Sequence, residues 1–472
     1  DLSGIVCADA LHIEWPETDA IVGNPPFIGA SNIRRSVGGE EIEWIKKTFG
    51  VGVKDYCVYW FRKAHDHLKP DQRAGLVGTN SVAQNLSRGV SLDYILAGGG
   101  VITDAVSSQV WPGEANVHVS LVNWVKKPTA RPNSSLLDGV QLPGGISASL
   151  RPQHPSDGRA RRLLQNANRV FEGPKPGDKG FVIEEDEALA LLKRGDAAYA
   201  RVVRPYLIGR DITTEPGARP SRWVIDFGPM TLEDAGRFPA AMEIVRDRVK
   251  PRRETNRRKV RRENWWRFSE VAPAARAAIR ATERYIAIGI TGKRLLMAWA
   301  ESEVCPSNLV NVAAFDDDHS MGILCSSIHE RWAWAQASTL KGDLRYTPTS
   351  VFATFPWPSP DDAQRAAIAA TAKQLTDLRD ALSFEQNIGL TKLYNECDEG
   401  AHKELRELHD RLDRAVSDAY GWPPSVLSDP VEITSRLLVL NAAIAAGEQE
   451  YTPFPPLAPP PEPQSERLFL PD

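Results

Sequence analysis

The chain has 472 residues, a hydrophobic fraction of 42%, a charged fraction of 25% and a formal net charge of −4. This length suffices for two or three globular domains, and no apolar run approaches the roughly 20 residues of a membrane-spanning helix. The five cysteines are scattered, odd in number and without metal-ligand spacing, which favours a reduced, cytoplasmic protein without a metal site.

The first part of the sequence alternates apolar segments with helical ones. We predict these elements in chain order: strand 4–9, strand 19–23, helix 41–48, helix 55–68, strand 74–79, strand 101–106 and strand 117–125. Such alternation is typical of the later half of a doubly wound α/β sheet. In these sheets, ligands bind at the carboxyl ends of the strands.

The most informative motif is Asn24-Pro25-Pro26-Phe27, which directly follows the predicted strand 19–23. Two consecutive prolines fix φ at about −65°, remove two backbone donors and keep the preceding residue extended. The amide oxygen of Asn24 and the carbonyl oxygen of Pro25 therefore become two fixed acceptors beside an aromatic ring. The alternative is a Pro-Pro turn that merely ends a strand.

This motif and its apolar lead-in resemble the amino-methyltransferase motif of S-adenosylmethionine (AdoMet)-dependent enzymes that methylate N6 of adenine. The resemblance implies that Asn24 and Pro25 accept hydrogen bonds from the target amine while Phe27 stacks on the base. The same tetrapeptide also serves ribosomal RNA and protein-glutamine methyltransferases, so it indicates a reaction rather than a substrate.

Further residues follow the pattern of the adenine methyltransferases in order. The resemblance implies that Asp9 accepts a hydrogen bond from the adenine of AdoMet and that Trp60 packs on that adenine. Trp111, in the segment 109–116, would sandwich the flipped target base opposite Phe27. Alternatively, Asp9 caps the next segment and Trp60 belongs to the core. Carbon-5 cytosine methylation needs a Pro-Cys dipeptide, which the sequence lacks.

The methionine end of AdoMet is usually held by a glycine-rich turn between a strand and a helix. Residues 98–100 and 144–145 are glycine-rich but lack that context. The chain begins at Asp1, almost inside a predicted strand, so we expect the main AdoMet motif to lie upstream in a longer protein. We also expect that residues 1–472 alone transfer no methyl group.

A Pro-, Gly- and Ser-rich stretch, residues 126–159, marks a domain boundary. Beyond it, segments 166–173, 203–211 and 223–226 resemble the target-recognition domain of MmeI-like (type IIG/IIL) restriction–modification enzymes. This resemblance covers residues 1 to about 447. It implies that one chain combines a DNA methyltransferase with a DNA-specificity domain.

A basic segment adds a physical argument for DNA binding. Residues 246–262 include ten basic and two acidic residues, and Trp265 and Trp266 follow them. Such a density of basic residues favours the binding of phosphates. The alternative, which is usual for a run of charged residues, is a solvated helix face. The candidate DNA-binding residues are Arg246, Arg248, Lys250, Arg252, Arg253, Arg257, Arg258, Lys259, Arg261 and Arg262.

We therefore predict an α/β fold with three parts. The C-terminal half of a Rossmann-like class I methyltransferase domain is followed by an α+β target-recognition domain and a small helical bundle. The divisions are residues 1–128 (partial catalytic domain), 129–174 (linker), 175–358 (target recognition), 359–450 (helical domain) and 451–472 (Pro-rich tail). Helices are predicted over 361–382, 400–420 and 430–447.

The predicted function is transfer of a methyl group from AdoMet to N6 of a flipped adenine in double-stranded DNA, within a restriction–modification system. Two alternatives stay open. One is an amino-methyltransferase that acts on RNA, and the other is a DNA-specificity module without catalysis. Neither a metal nor a membrane partner is expected.

Overall fold

In a computed structural model the chain forms two units, Asp1–Asp157 and Gly158–Asp472. The structure describes residues 4–454 except for residues 31, 113–116, 131, 133, 143–144, 154–159, 195 and 341–342. Within these described ranges no helix is long and apolar enough to cross a membrane. Each unit has its own hydrophobic core.

The first unit is built on one six-stranded sheet. Its strands are β1 (Ala20–Gly23), β2 (Arg73–Thr79), β3 (Gly100–Val110), β4 (His118–Lys126), β5 (Ser135–Leu137) and β6 (Val140–Leu142). Its helices are α1 (Ile33–Ser36), α2 (Gly39–Phe49), α3 (Val58–His67), α4 (Asn85–Val90) and α5 (Leu92–Ala97). The predicted strands and helices between residues 19 and 125 are confirmed, with boundaries that differ by a few residues.

The strand order in this sheet is β1-β2-β4-β3-β5-β6, so β4 lies between β2 and β3. β1 and β2 are parallel, with Gly23 opposite Leu76, whereas β4 is antiparallel to both of its neighbours. Because β1 and β2 run in the same direction, the residues that follow them, Asn24 and Asn80, emerge at the same edge of the sheet. The predicted α/β class is confirmed.

Helix α3 packs closely against the sheet. The ring of Phe61 stacks on Trp124 of β4 with a centroid distance of 5.7 Å. A Cβ atom added to Gly78 of β2 would lie 3.0 Å from the Phe61 ring, so glycine permits the close approach of helix and strand. This packing fixes the position of the other side chains that α3 carries.

The predicted strand over residues 4–9 is wrong. These residues form no strand, and Ile5 and Val6 are 72% and 70% exposed. A strand needs a neighbour for its backbone groups, and among the described residues β1 is paired only with β2. Residues 135–142, within the predicted linker, instead form the hairpin β5–β6, which extends the sheet beside β3.

The described residues of the second unit form three smaller sheets. Their strands are β7 (Val170–Glu172), β8 (Val182–Ile183), β9 (Val203–Leu207), β10 (Arg222–Ile225), β11 (Arg284–Gly289), β12 (Thr291–Gly292), β13 (Met297–Glu301), β14 (Cys305–Pro306), β15 (Val310–Ala313), β16 (Ser338–Leu340) and β17 (Asp343–Arg345). The strand orders are β14-β9-β10-β8, β13-β11-β15-β7 and β12-β17-β16.

Helices accompany these sheets and continue to the end of the described chain. They are α6 (Glu185–Arg194), α7 (Asp196–Tyr199), α8 (Gly209–Thr214), α9 (Leu232–Gly236), α10 (Pro239–Arg248), α11 (Lys250–Glu254), α12 (Lys259–Glu263), α13 (Pro273–Arg280), α14 (Asp318–Cys325), α15 (Ser327–Gln336), α16 (Asp362–Glu385), α17 (Leu390–Asp398), α18 (Lys403–Ala419) and α19 (Pro430–Ala446). The three predicted C-terminal helices correspond to α16, α18 and α19.

The C-terminal helices share one hydrophobic core with the sheet that contains β11 and β15. Helix α14 approaches α16 at Gly322, where an added Cβ atom would lie 2.8 Å from Ile368. The hydroxyl of Tyr451 donates to Asn166 at 2.8 Å and accepts from the backbone N–H of Trp357. These hydrogen bonds therefore hold the end of the described chain against the rest of the second unit.

A buried ion pair joins α13 to the end of β10. The guanidinium of Arg276 donates to both carboxylate oxygens of Asp226, at 2.6 and 2.9 Å. Side-chain exposure is 10% for Arg276 and 1% for Asp226. A buried charge that loses its partner remains desolvated, so the two residues depend on each other.

Replacement of Asp226 by Ala should lower the free energy of unfolding by about 3–5 kcal/mol, because Arg276 would keep an unpaired charge in the interior. Urea-induced unfolding of the parent and the variant measures this loss. The matched control is Asp377→Ala, which removes an ion pair with Lys373 in which both side chains are 63% exposed. The control should lose at most about 1 kcal/mol. Equal losses in the two variants would contradict the prediction.

A second stability prediction concerns Gly389, the residue before α17. An added Cβ atom would lie 2.3 Å from the carbonyl carbon of Thr214 and 2.4 Å from its Cα, so backbone would have to move. Gly389→Ala should therefore cost about 1–3 kcal/mol in unfolding free energy.

The control for this substitution is Gly236→Ala at the end of α9, where no atom lies within 4 Å of the added Cβ. It should be neutral or slightly stabilising, since alanine restricts the unfolded chain. Thermal unfolding that is unchanged for Gly389→Ala would refute the close approach of α17 and α8.

Candidate functional site

The loop after β1 presents the side chain of Asn24 to solvent. Asn24 and Pro26 are exposed, Pro25 is buried and Phe27 is half-buried. Among the described residues the Asn24 amide has no hydrogen-bond partner. The loop thus offers a free amide oxygen next to a rigid proline backbone, rather than an asparagine used inside the fold.

The structure brings Phe27 and Trp111 together. Their ring centroids are 5.4 Å apart and the ring planes are at 87°, an edge-to-face contact. Trp111 follows β3, and its backbone N–H donates to the carbonyl of Val117 at 3.0 Å. Residues 113–116 of the predicted motif lie outside the described residues. A base can enter between the two rings only if they separate, since the present contact leaves no gap.

Polar groups from two other segments lie beside this loop. The backbone N–H of Tyr56 donates to the carbonyl of Ile28, which ties the start of α3 to the loop. Next to Tyr56, one carboxylate oxygen of Asp55 accepts from the hydroxyls of Thr79 and Ser81, at 2.8 and 2.7 Å. Sequence reasoning assigned no role to Asp55, and its position just before an aromatic helix was the available signal.

Cys57, close to these groups, is not a nucleophile in this structure. The residue is fully buried, and its burial and the neighbouring carboxylate of Asp55 raise the pKa of the thiol to about 12. A thiol with such a pKa stays protonated at neutral pH. No group of His, Cys, Asp and Glu among the described residues could hold a metal ion.

Asp9 lies in a loop rather than at the end of a strand. One of its carboxylate oxygens accepts from the backbone N–H of Leu11 at 2.9 Å, and the residue is exposed. Its backbone carbonyl accepts from the N–H groups of His12 and Ile13. The carboxylate is therefore held in one orientation, and its second oxygen has no partner in the described part of the chain.

Trp60 lies in the core of the first unit. It is 9% exposed, and its ring packs edge-to-face on Tyr56 with a centroid distance of 4.9 Å. The hydroxyl of Tyr56 donates to Glu41 at 3.0 Å. Burial and this carboxylate raise the pKa of Tyr56. Little of the Trp60 side chain is therefore accessible to a ligand.

The basic segment is divided among α10, α11 and α12, and several of its residues have partners within the protein. Arg248 pairs with Glu187, and Arg252 pairs with Asp178 at 2.9 Å. Lys259 lies 3.6 Å from Glu263 in the same helix.

Arg253 requires a correction. The residue is 3% exposed, and its guanidinium donates to backbone carbonyls, among them that of Pro176 at 2.7 Å. A side chain with these contacts fixes the loop after α12 and is not available to a phosphate. Trp265 and Trp266, at 9% and 7% exposure, belong to the same core and offer no stacking surface.

The remaining basic residues lie at or near the surface. Arg257 and Arg258 are exposed, and neither side chain has a hydrogen-bond or ion-pair partner in the described ranges. The ammonium of Lys250 lies 5.6 Å from the ring centroid of Trp265. Arg246 and Arg261 complete this set, whereas the guanidinium of Arg262 donates to the backbone carbonyl of Asn256 at 2.6 Å. Guanidinium groups without an internal partner can bind phosphate oxygens at little structural cost.

Two family models match this chain. Residues 1–134 match the model described as the MmeI DNA-methyltransferase domain, and residues 158–359 match the model described as the MmeI target recognition domain. Together the two matches cover well over half of the chain. No curated protein matches it.

Among solved structures, the type IIL restriction–modification enzyme MmeI in complex with DNA matches with a TM-score of 0.76 and 21% sequence identity. The match covers 93% of this chain and 60% of that chain, so this chain spans about 60% of the length of that relative. At this identity the likeness establishes the fold.

Two more distant structures match less well. The type IIG restriction endonuclease BpuSI gives a TM-score of 0.29 at 12% identity, over 85% of this chain and 54% of its own. The DrdV–DNA complex gives 0.36 at 12% identity, over 76% and 44%. TM-scores this low support no structural argument.

Proposed function

This chain belongs to the MmeI-like family of type IIL restriction–modification enzymes, and on that premise we propose that it modifies DNA. The proposed reaction is AdoMet-dependent methylation of N6 of an adenine that has been flipped out of the duplex. The observation that carries the proposal is the exposed Asn24 side chain, next to Pro25 in the rigid loop and beside the paired rings of Phe27 and Trp111.

The acceptor pair suits an exocyclic amine. The Oδ1 atom of Asn24 and the carbonyl oxygen of Pro25 accept one hydrogen bond each from the two N–H groups of the amine. These bonds favour an amine whose lone pair is less conjugated with the ring and points at the methyl donor. The two prolines fix the backbone that carries the Pro25 carbonyl before the substrate arrives, so this acceptor needs little reorganisation.

Two aromatic side chains offset the cost of base flipping. Extrusion of a paired base costs a few kcal/mol, and stacking on an aromatic ring returns roughly 1–3 kcal/mol per base. Phe27 and Trp111 now contact each other edge-to-face. In the proposed complex the rings separate and the adenine takes the place of their mutual contact.

Residues of the first unit fit the adenosine end of AdoMet. Asp9 presents an exposed carboxylate with one oxygen held by Leu11 and the other free to accept from an amino or hydroxyl group. The edge of Trp60 would provide an apolar contact. When bound, AdoMet supplies an electrophilic methyl group. The protein's part is to orient the target amine and to exclude water from it.

The second unit supplies the proposed DNA surface. Its target-recognition match includes the basic segment, in which the side chains of Arg257 and Arg258 are exposed and have no partner within the described ranges. Contacts from such residues to phosphates position a duplex, while other side chains read base edges. The proposal therefore divides the work between a catalytic unit and a DNA-binding unit.

Asn24→Ala in the full-length protein should reduce methylation about 100-fold or more, because one of two acceptors for the amine is lost. DNA affinity should stay within about twofold, since Asn24 is exposed and its side chain has no hydrogen bond in the described part of the chain. Digestion of methylated DNA and mass analysis of its nucleosides would show N6-methyladenine for the parent.

The control for this experiment is Asn32→Ala, which removes an exposed asparagine side chain of the same unit that, among the described residues, accepts from Arg35. Its methylation rate should match that of the parent. An RNA oligonucleotide of the same sequence serves as the second substrate. Methylation of RNA in preference to DNA, or undiminished activity of Asn24→Ala, would overturn the proposed function.

The double variant Arg257→Gln, Arg258→Gln should weaken DNA binding similarly for all sequences. The slope of log affinity against log salt concentration should fall in magnitude by about 2, since each phosphate contact contributes about 0.9. Fluorescence anisotropy at several salt concentrations measures both quantities. Lys373→Gln in α16, an exposed lysine paired with Asp377, should leave the slope unchanged. An unchanged slope in the double variant would remove these arginines from the DNA surface.

A further inference from the structure

Lys63 of α3 binds one loop through all of its donors. Its ammonium donates to the backbone carbonyls of Ala10, Leu11 and Ile13, at 2.9, 2.9 and 2.5 Å. An ammonium group has three N–H donors, so the three carbonyls account for the whole donor capacity. The loop that they belong to begins at Asp9.

The surroundings of Lys63 make these bonds strong. The side chain is half-buried, and burial lowers its pKa, an effect that the nearby carboxylates of Asp9 and Glu14 oppose. The Trp15 ring centroid lies 4.9 Å from the ammonium, and the indole N–H of Trp15 donates to Ala10 at 2.8 Å. Hydrogen bonds from a partly desolvated cation are stronger than those between neutral groups.

A second set of contacts holds the same loop from α2. His12 lies 2.7 Å from Glu41, and its ring centroid is 3.9 Å from that of Trp44. Glu41 also accepts from Tyr56 at 3.0 Å. The loop is thus held by contacts from both α2 and α3, while the second carboxylate oxygen of Asp9 has no hydrogen bond among the described residues.

Lys63 and Trp60 lie three residues apart on α3 and therefore on neighbouring positions of one helix face. One rigid helix consequently sets the place of both residues assigned to the adenosine end of AdoMet. It carries Trp60 directly, and it places Asp9 through the three carbonyls that Lys63 binds. Without those bonds the exposed loop would keep, among the described residues, the contacts of His12 and Trp15, and Asp9 would be less well positioned.

We propose that Lys63 is a positioning residue for cofactor binding. It fixes the position of the Asp9 carboxylate relative to the Trp60 ring. The inference rests on the proposed function of this unit. The loop carbonyls use all three donors of Lys63, so none is left for the cofactor. Loss of Lys63 should therefore weaken AdoMet binding while leaving the rate at saturating AdoMet almost unchanged.

The test uses Lys63→Met in the full-length protein, which keeps the length of the side chain and removes the three donors. The dissociation constant of AdoMet, measured by titration calorimetry, should rise about tenfold or more. The value of kcat at saturating AdoMet and DNA should stay within about twofold. Hydrogen exchange of the free protein should accelerate at residues 9–15.

Two matched variants separate this role from a general loss of stability. Lys69→Met removes an exposed lysine whose ammonium, in the described part of the chain, pairs with Glu17, and AdoMet binding should not change. Asp9→Asn should weaken AdoMet binding by itself. Combined with Lys63→Met, it should add less than its separate effect, because both substitutions act through one carboxylate. Full additivity would show that Lys63 does not act through Asp9.

The possible outcomes separate the positioning role of Lys63 from the proposed methyltransferase function on which it rests. If the parent binds AdoMet and Lys63→Met binds it equally well, the positioning role is overturned and the proposed function stands. If the parent binds no AdoMet, the proposed function itself fails. If Lys63→Met does not fold, Trp15→Phe, which removes the indole donor to Ala10, decides. It should weaken AdoMet binding with kcat unchanged, and unaltered binding would refute the inference.

Discussion

A double-proline loop at the end of β1 determines where every proposed reactive contact can lie. Proline at positions 25 and 26 fixes the backbone, so Asn24 projects from the sheet edge with a free amide oxygen and Phe27 turns toward Trp111. The parallel pairing of β1 and β2 brings the strand end with Thr79 to the same edge. This one constraint places the proposed binding surface at the edge of the first sheet.

Helix α3 connects the packing of the first unit with its chemistry. Phe61 stacks on the sheet at Trp124, and Gly78 allows the helix to approach β2. The same helix carries Trp60 and Lys63, and the residues before it bind the Asn24 loop and the end of β2. A rigid, buried element of this kind holds site residues more accurately than loops can by themselves.

Local patterns in the sequence predicted much of this arrangement. Apolar segments between helical ones predicted β2 and β4, and the proline pair with its neighbouring aromatics predicted a loop whose rings lie together. The failures share one cause. The segment with Ile5 and Val6 has strand composition but no pairing partner among the described residues. Arg253 looks like its exposed neighbours but is buried against backbone carbonyls. Pairing and burial depend on distant residues, which a local pattern does not contain.

In the proposed complex a flipped adenine is bound at the end of β1 between the rings of Phe27 and Trp111. The most direct measurement is a structure of the full-length protein bound to its DNA target and a non-reactive AdoMet analogue. We expect an adenine between the separated rings of Phe27 and Trp111, with its exocyclic nitrogen about 3 Å from both Asn24 Oδ1 and the Pro25 carbonyl oxygen. A complex in which the two rings still touch and the target base lies elsewhere would contradict it.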